Sequence, residues 1–183
     1  MKNNYTKCLI NYDENVLKRV ALMNKLSKLS LIFPVLNFDL QDKKIVQYSE
    51  SISSFKWPED KIILKKLWIE FKNEISNLHK QDYVHGDILK KNIVFDGLRL
   101  RLIDHELSLV IGNELRVTHP WVAIEDLINR AVSRKTDLIC IKATELRLFD
   151  YDRYIKFRIL QTELVSNYSK TIEPSSKHYK IVQ

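Results

Sequence analysis

The chain predicts an α+β fold, and three stretches carry that prediction. Leu64, Leu67, Trp68, Phe71, Ile75 and Leu78 recur at intervals of three and four, the spacing of a helix with one buried face. Ile93-Val94-Phe95 and Leu98-Arg99-Leu100-Arg101-Leu102 alternate apolar and polar residues around Asp96-Gly97, the strongest short-range signal for a hairpin. Nearer the N-terminus, short apolar runs separated by a helical stretch read as strands.

In chain order, residues 3–10 read as a strand and Asp13 to about Leu29 as a helix, opened by Asp13 and Glu14, which suit its N-terminal dipole. Pro34 breaks the chain. Val35-Leu36-Asn37-Phe38 and Lys44-Ile45-Val46-Gln47-Tyr48 then read as two strands around Gln41-Asp42-Lys43. Ser49 to Pro58 is a polar connector, the natural place for a hinge. From Glu59 onward the pattern is helical except for the hairpin. Tyr151 to Tyr168 reads as a last helix with Tyr151, Ile155, Ile159 and either Val165 or Tyr168 on its apolar side. The tail from Ser169, with Pro174-Ser175-Ser176, reads as frayed.

A chain of 183 residues with 45 % hydrophobic content, three Gly and four Pro can bury a core and is neither disordered nor of low complexity. No apolar run approaches the roughly 20 residues of a membrane span, and the first residues lack the apolar centre of a signal peptide. Cys8 and Cys140 lack metal spacing and read as reduced, packed thiols of a cytoplasmic protein. The net charge of +7 suits anionic partners. Its lysines and arginines are scattered without aromatic interleaving, which argues against nucleic acid as the main partner. The five histidines are dispersed, and no pair shows metal-ligand spacing.

The most informative stretch is Tyr83-Val84-His85-Gly86-Asp87-Ile88-Leu89-Lys90-Lys91-Asn92, followed by Leu102-Ile103-Asp104-His105-Glu106. Helix, loop with Asp and Asn, hairpin and second Asp come in the order of the catalytic and metal-binding loops of the protein-kinase-like superfamily. That superfamily includes protein kinases and the aminoglycoside and choline kinases, and this stretch resembles it. The resemblance implies ATP and Mg²⁺ as cofactors. It makes Asp87 the catalytic base that accepts a hydroxyl proton, and Asn92 and Asp104 the hard oxygen ligands of the metal. By the same resemblance Lys7, set in Tyr5-Thr6-Lys7-Cys8-Leu9-Ile10, would reach the nucleotide phosphates. Leu89 stands where Ser/Thr kinases carry a Lys that steadies the transferred phosphate, and Lys90, one position further, would substitute for it.

Further on, Thr118-His119-Pro120-Trp121-Val122-Ala123-Ile124-Glu125 resembles the protein-kinase segment T-P-E-Y-L-A-P-E, with Ile124 in place of its proline. Asp137 follows at the spacing at which protein kinases tie an Asp to the backbone of the catalytic loop. By the same resemblance Thr118 would bond Asp87, and Glu125 would form a buried ion pair with Arg153 or Arg158. Departures are equally plain. The glycines are Gly86, Gly97 and Gly112, so the Gly-rich loop over the ATP phosphates has no counterpart. Gly86 replaces the Arg of many protein kinases, which removes the basic pocket that a phosphorylated activation segment would organise. Ile103-Asp104-His105-Glu106 is closer to the Asp-x-Glu of aminoglycoside- and sugar-type kinases than to Asp-Phe-Gly.

The expectation is a protein-kinase-like two-lobe fold over residues 1–168, with a flexible tail over 169–183. It has a truncated N-lobe over about 1–50, without the Gly-rich hairpin, a hinge over 51–58, and a reduced helical C-lobe over 59–168. The implied activity is that of a minimal, bacterial-type Ser/Thr protein kinase with a protein substrate. A sugar, lipopolysaccharide or antibiotic kinase and a pseudokinase acting as a binding module are the alternatives.

Overall fold

Residues 5–10, 14–33, 36–41, 44–49, 54–105, 120–129 and 132–171 are described by the structure, a computed structural model. The chain divides into two units, residues 1–83 with 90–110 and residues 84–89 with 111–183.

In the first unit, β1 (Tyr5–Ile10), α1 (Glu14–Leu29), β2 (Leu36–Gln41) and β3 (Lys44–Ser49) follow the predicted order. The three strands form an antiparallel sheet in the order β1-β3-β2, and Gln47 of β3 lies opposite both Lys7 and Phe38. After the connector comes α2 (Lys61–His79). Its N-cap is Asp60, whose carboxylate accepts from the backbone N–H of Ile62 at 2.7 Å and of Ile63 at 3.2 Å. That satisfies two of the N–H groups a helix start leaves without partners. All six residues of the predicted apolar face are buried, and His79 with them.

A single 3₁₀ turn, Lys90–Asn92, leads into the hairpin of β4 (Ile93–Phe95) and β5 (Leu100–Leu102). The sequence pattern starts the second strand at Leu98, but the ladder resumes only at Leu100. The cause is Asp96, whose carboxylate accepts from Leu98 N–H at 2.9 Å and Arg99 N–H at 2.8 Å. A local side-chain bond has displaced two ladder positions. Gly97 turns the corner at φ +93°, in the left-handed region. Three bonds fasten the hairpin within the unit. Leu102 N–H donates to Ile32 O at 2.8 Å, the Arg101 guanidinium to Phe33 O at 2.6 Å, and Phe55 N–H to Phe95 O at 2.8 Å.

The second unit is helical among its described residues: α3 (Ile124–Asn129), α4 (Arg134–Phe149) and α5 (Tyr151–Thr171). Ser133 caps α4, its hydroxyl accepting from Lys135 N–H at 3.1 Å. Val122 and Leu127 pack with Val165 of α5. Of the expected face of α5, Val165 is buried, but Tyr151, Ile155 and Ile159 are exposed, and Tyr154 and Gln161 are buried instead. Trp121 sets this phase: its ring lies 5.7 Å from that of Phe157 in a stacked pair and 5.9 Å from that of Tyr154. Gln161 Nε2 donates to Val122 O at 2.8 Å and locks the rotation.

The Gly97 corner makes a direct prediction. A Cβ there would meet the Phe55 ring at 3.4 Å, an ordinary contact, so the cost of Gly97→Ala is the left-handed backbone alone. Urea unfolding should show a loss of about 1–2 kcal/mol. An unchanged midpoint would mean that the corner is not held at positive φ.

Candidate functional site

The turn from Val84 to Leu89 belongs to the second unit and is pinned along its backbone. Asp137, fully buried in the first turn of α4, accepts from His85 N–H with Oδ2 at 2.9 Å and from Gly86 N–H with Oδ1 at 2.7 Å. Each carboxylate oxygen thus takes one of two consecutive amides. His85 Nδ1 in turn accepts from Asp87 N–H at 3.1 Å, Leu89 N–H donates to Asp87 O at 2.8 Å, and the Thr144 hydroxyl donates to Ile88 O at 3.1 Å. Gly86 sits at φ +85°, so no side chain could stand there without strain. Every residue from His85 to Leu89 therefore has a fixed backbone group, and Asp87 between them is buried.

Asn92 and Asp104 belong to the first unit, at the open end of the hairpin. Ile103 N–H donates to Asn92 O at 2.9 Å, so the β4–β5 register continues one step and brings the chain at Asp104 beside the 3₁₀ turn. Asn92 is buried and Asp104 is exposed. Asp104 holds φ +65°, a conformation that Asp and Asn tolerate better than other side chains. The next residue anchors it. His105 Nε2 faces Leu102 O at 2.8 Å, and a carbonyl can only accept, so Nε2 donates. The other ring nitrogen, Nδ1, meets the Tyr83 hydroxyl at 2.9 Å. Phe33 closes the pocket edge-on, its ring 4.7 Å from that of His105 and 5.1 Å from that of Tyr83. Sequence reading missed this pair; the adjacency of His105 to Asp104 was its one signal.

Of the two expected phosphate-binding lysines, Lys90 extends its ammonium over the Trp57 ring, 5.4 Å from the centroid, a cation–π contact. Lys7 lies in the sheet opposite Gln47, and its side chain is outside what the structure describes. Thr118 lies outside the described residues.

Glu125 departs from expectation. It is exposed, and it pairs with Lys135 at 2.8 Å rather than with a buried arginine. Arg153 instead meets Asp150 at 3.3 Å on the surface. The buried carboxylate belongs to the next residue. Asp126 accepts from Ser133 N–H at 2.7 Å and from the Thr136 hydroxyl at 2.6 Å, while Thr136 Oγ1 accepts from Ala123 N–H at 2.9 Å. Helical phase explains the exchange: Asp126 shares with Leu127 the side of α3 that faces inward. Lys135 holds the Glu125 carboxyl below its usual value, chiefly through its hydrogen bond, with the Glu125 backbone amide and the Lys135 charge adding to it.

Asn92 and Asp104 supply one amide and one carboxylate oxygen at the same hairpin end. Among the described residues no group of three or more His, Cys, Asp or Glu could hold a metal ion. A two-oxygen set of this kind fits Mg²⁺, which binds through one or two protein oxygens and completes its shell with water and phosphate.

No protein-family model matches the chain, and no curated protein matches it. A solved structure does. The PK-1 kinase of Cydia pomonella granulovirus superposes with a TM-score of 0.61 at 17 % identity, over 98 % of this chain and 74 % of that one. The fold is kinase-like.

Three substitutions distinguish framework from surface. Asp137→Ala strands the His85 and Gly86 amides and Asp126→Ala strands Ser133 N–H. Each should lose about 1–3 kcal/mol per stranded group. Glu125→Ala, at an exposed position, should melt with the parent. Equal destabilisation by all three would contradict the burial described. Because the Glu125 carboxyl is lowered in the folded protein, its pairing is present above the unfolded-state value and is lost as pH falls through the folded one. In an NMR titration Lys135→Met should move its midpoint upward toward the ordinary carboxylate range.

Proposed function

We propose that the chain is a Mg²⁺- and ATP-dependent phosphotransferase that uses an alcohol group as acceptor, and that its fullest reading is a minimal Ser/Thr protein kinase. The observation that carries this reading is the two-pronged hold of Asp137 on His85 and Gly86, which fixes the backbone leading into Asp87. A turn so constrained suits a residue whose work is to orient a nucleophile. The kinase-like fold supports the same reading.

In the proposed reaction Asp87 accepts a hydrogen bond from the acceptor hydroxyl and takes its proton as the oxygen attacks the γ-phosphorus. The bond from that phosphorus to its bridging oxygen breaks, and ADP leaves. Asn92 and Asp104 would hold Mg²⁺, which when bound neutralises charge on the phosphate oxygens. Lys7 and Lys90 would contact the nucleotide phosphates, Lys90 after leaving the Trp57 face. The sheet of β1 to β3 with α1 would be the remnant of an N-lobe lacking its Gly-rich hairpin, 51–58 the hinge, and the chain from 59 to 168 the C-lobe. No helix among the described residues is long and apolar enough to cross a membrane, and the proposed setting is the cytoplasm.

One observation favours a second reading. The exposed Glu125 pair does not reproduce the buried ion pair implied by the protein-kinase resemblance, and the Asp104-x-Glu106 pattern is that of small-molecule kinases. A sugar, lipopolysaccharide or antibiotic acceptor is therefore the alternative substrate class. A pseudokinase reading rests on the missing glycines alone.

Mg²⁺-ATP at one hundred times its dissociation constant should stabilise the fold by about 2.7 kcal/mol, which raises the melting temperature of a chain of this size by about 5–11 °C. Asp104→Asn should remove the Mg²⁺ dependence of that shift. Asp87→Asn should melt with the parent and keep the shift, but lower phosphoryl transfer by about 10²–10⁴-fold. Absence of any shift at millimolar nucleotide would support the pseudokinase reading instead.

A further inference from the structure

Away from the proposed site, the first unit carries an open groove. Two cavities of about 430 Å³ each adjoin along α2 and share Glu74 in their walls. The first cavity has an apolar floor of Ile32, Leu67, Phe71 and Leu100, and the second, over Leu26 and Leu78, is the more polar of the two. Three leucines on the rims are left in solvent: Leu29 is 65 % exposed, Leu31 59 % and Leu98 70 %. Glu70 and Glu74 stand one helical turn apart on the wall, with no ion-pair partner among the described residues. Arg99 lines one cavity and Lys80 the other, and neither pairs with a glutamate. The charges facing this apolar slot are thus acidic at the centre, with a cation toward each end.

A fitting occupant would be a helical ridge of apolar side chains with a cation at mid-length and acids toward its ends. Such a ridge is present on α5. Tyr151, Ile155 and Ile159 follow each other at intervals of four and are exposed. Arg158 borders them, exposed and without an ion-pair partner among the described residues. Asp152 and Glu163 lie six residues before and five residues after Arg158, also without partners among the described residues. At 1.5 Å per residue these acids stand about 9 Å and about 7.5 Å from the cation along the axis. From Glu74 on α2 to Lys80, its helical C-cap, the rise is also about 9 Å. Apolar surface meets apolar surface, the charge order is inverted, and the spacing matches at the Lys80 end.

We propose that the α2 groove receives the α5 ridge of a second copy of this chain, with Arg158 set against Glu70 and Glu74. The contact joins two different faces, so it closes as a dimer when the two-fold relation permits and otherwise extends into a series.

Sedimentation velocity on the full chain, from about 1 to about 200 µM, tests this. The unaltered chain should associate reversibly with concentration. Glu70→Lys with Glu74→Lys, and separately Arg158→Glu, should each weaken association by about tenfold or more while melting normally. Glu70 and Arg158 are exposed and Glu74 is half-buried, so neither variant places a charge in the core. An equimolar mixture of the two variants should associate again, because one retains Arg158 and the other retains Glu70 and Glu74. A merely misfolded or generally sticky protein would not show that complementation. A chain that sediments as a monomer throughout overturns the proposal and leaves the groove to a different partner. Variants that associate like the parent, or a mixture that stays monomeric, overturn it as well.

Discussion

A carboxylate removed from water is unfavourable unless both of its oxygens are bonded, and Asp137 meets that condition with two consecutive amides of a turn distant in sequence. The constraint runs both ways. The buried charge requires the turn to approach α4 with its N–H groups aligned, and that alignment is open only to a residue free of a Cβ at the position of Gly86. His85, Asp87 and Ile88 then follow, each fixed by a further bond. Remove the carboxylate and the turn has two unsatisfied donors, with only the weaker bonds at His85, Asp87 and Ile88 left to hold it.

The Tyr83–His105 pair does comparable work in the other unit. Its bonds and the edge-on Phe33 ring hold the residue beside Asp104, at the end of a hairpin already tied to Ile32 and Phe33. Both proposed metal-binding positions lie at that hairpin end, where the register sets their spacing along the backbone. A donor set built this way depends on strand pairing and on a packed aromatic group at once.

What the sequence revealed follows from how strongly each pattern is constrained. The α2 face was legible because its apolar residues occupy one side and its polar residues the other. Asp137 was legible because a fixed separation from Glu125 placed it. The face of α5 was not, since Tyr151, Tyr154, Ile155, Phe157, Ile159, Leu160, Leu164 and Val165 leave several equivalent stripes, and Trp121 chooses among them only in three dimensions. Glu125 and Asp126 differ by one residue, about 100° of helix rotation, which spacing arguments do not resolve. The late start of β5 hinged on one carboxylate preferring its own turn. No pattern in one dimension signals a tyrosine hydroxyl meeting a histidine 22 residues away.

The left-handed backbone at Asp104 reaches beyond the chemistry proposed for it. One base change in an aspartate codon yields Asn, Gly, Glu, His, Tyr, Val or Ala, and of these Asn and Gly sit most easily at φ +65°. Drift at this position is therefore channelled. A descendant could lose the carboxylate and keep an intact hairpin through Asn or Gly, whereas the other replacements disturb the backbone together with the charge. Among relatives, Asn or Gly here would mark a chain that has given up the carboxylate while preserving the scaffold.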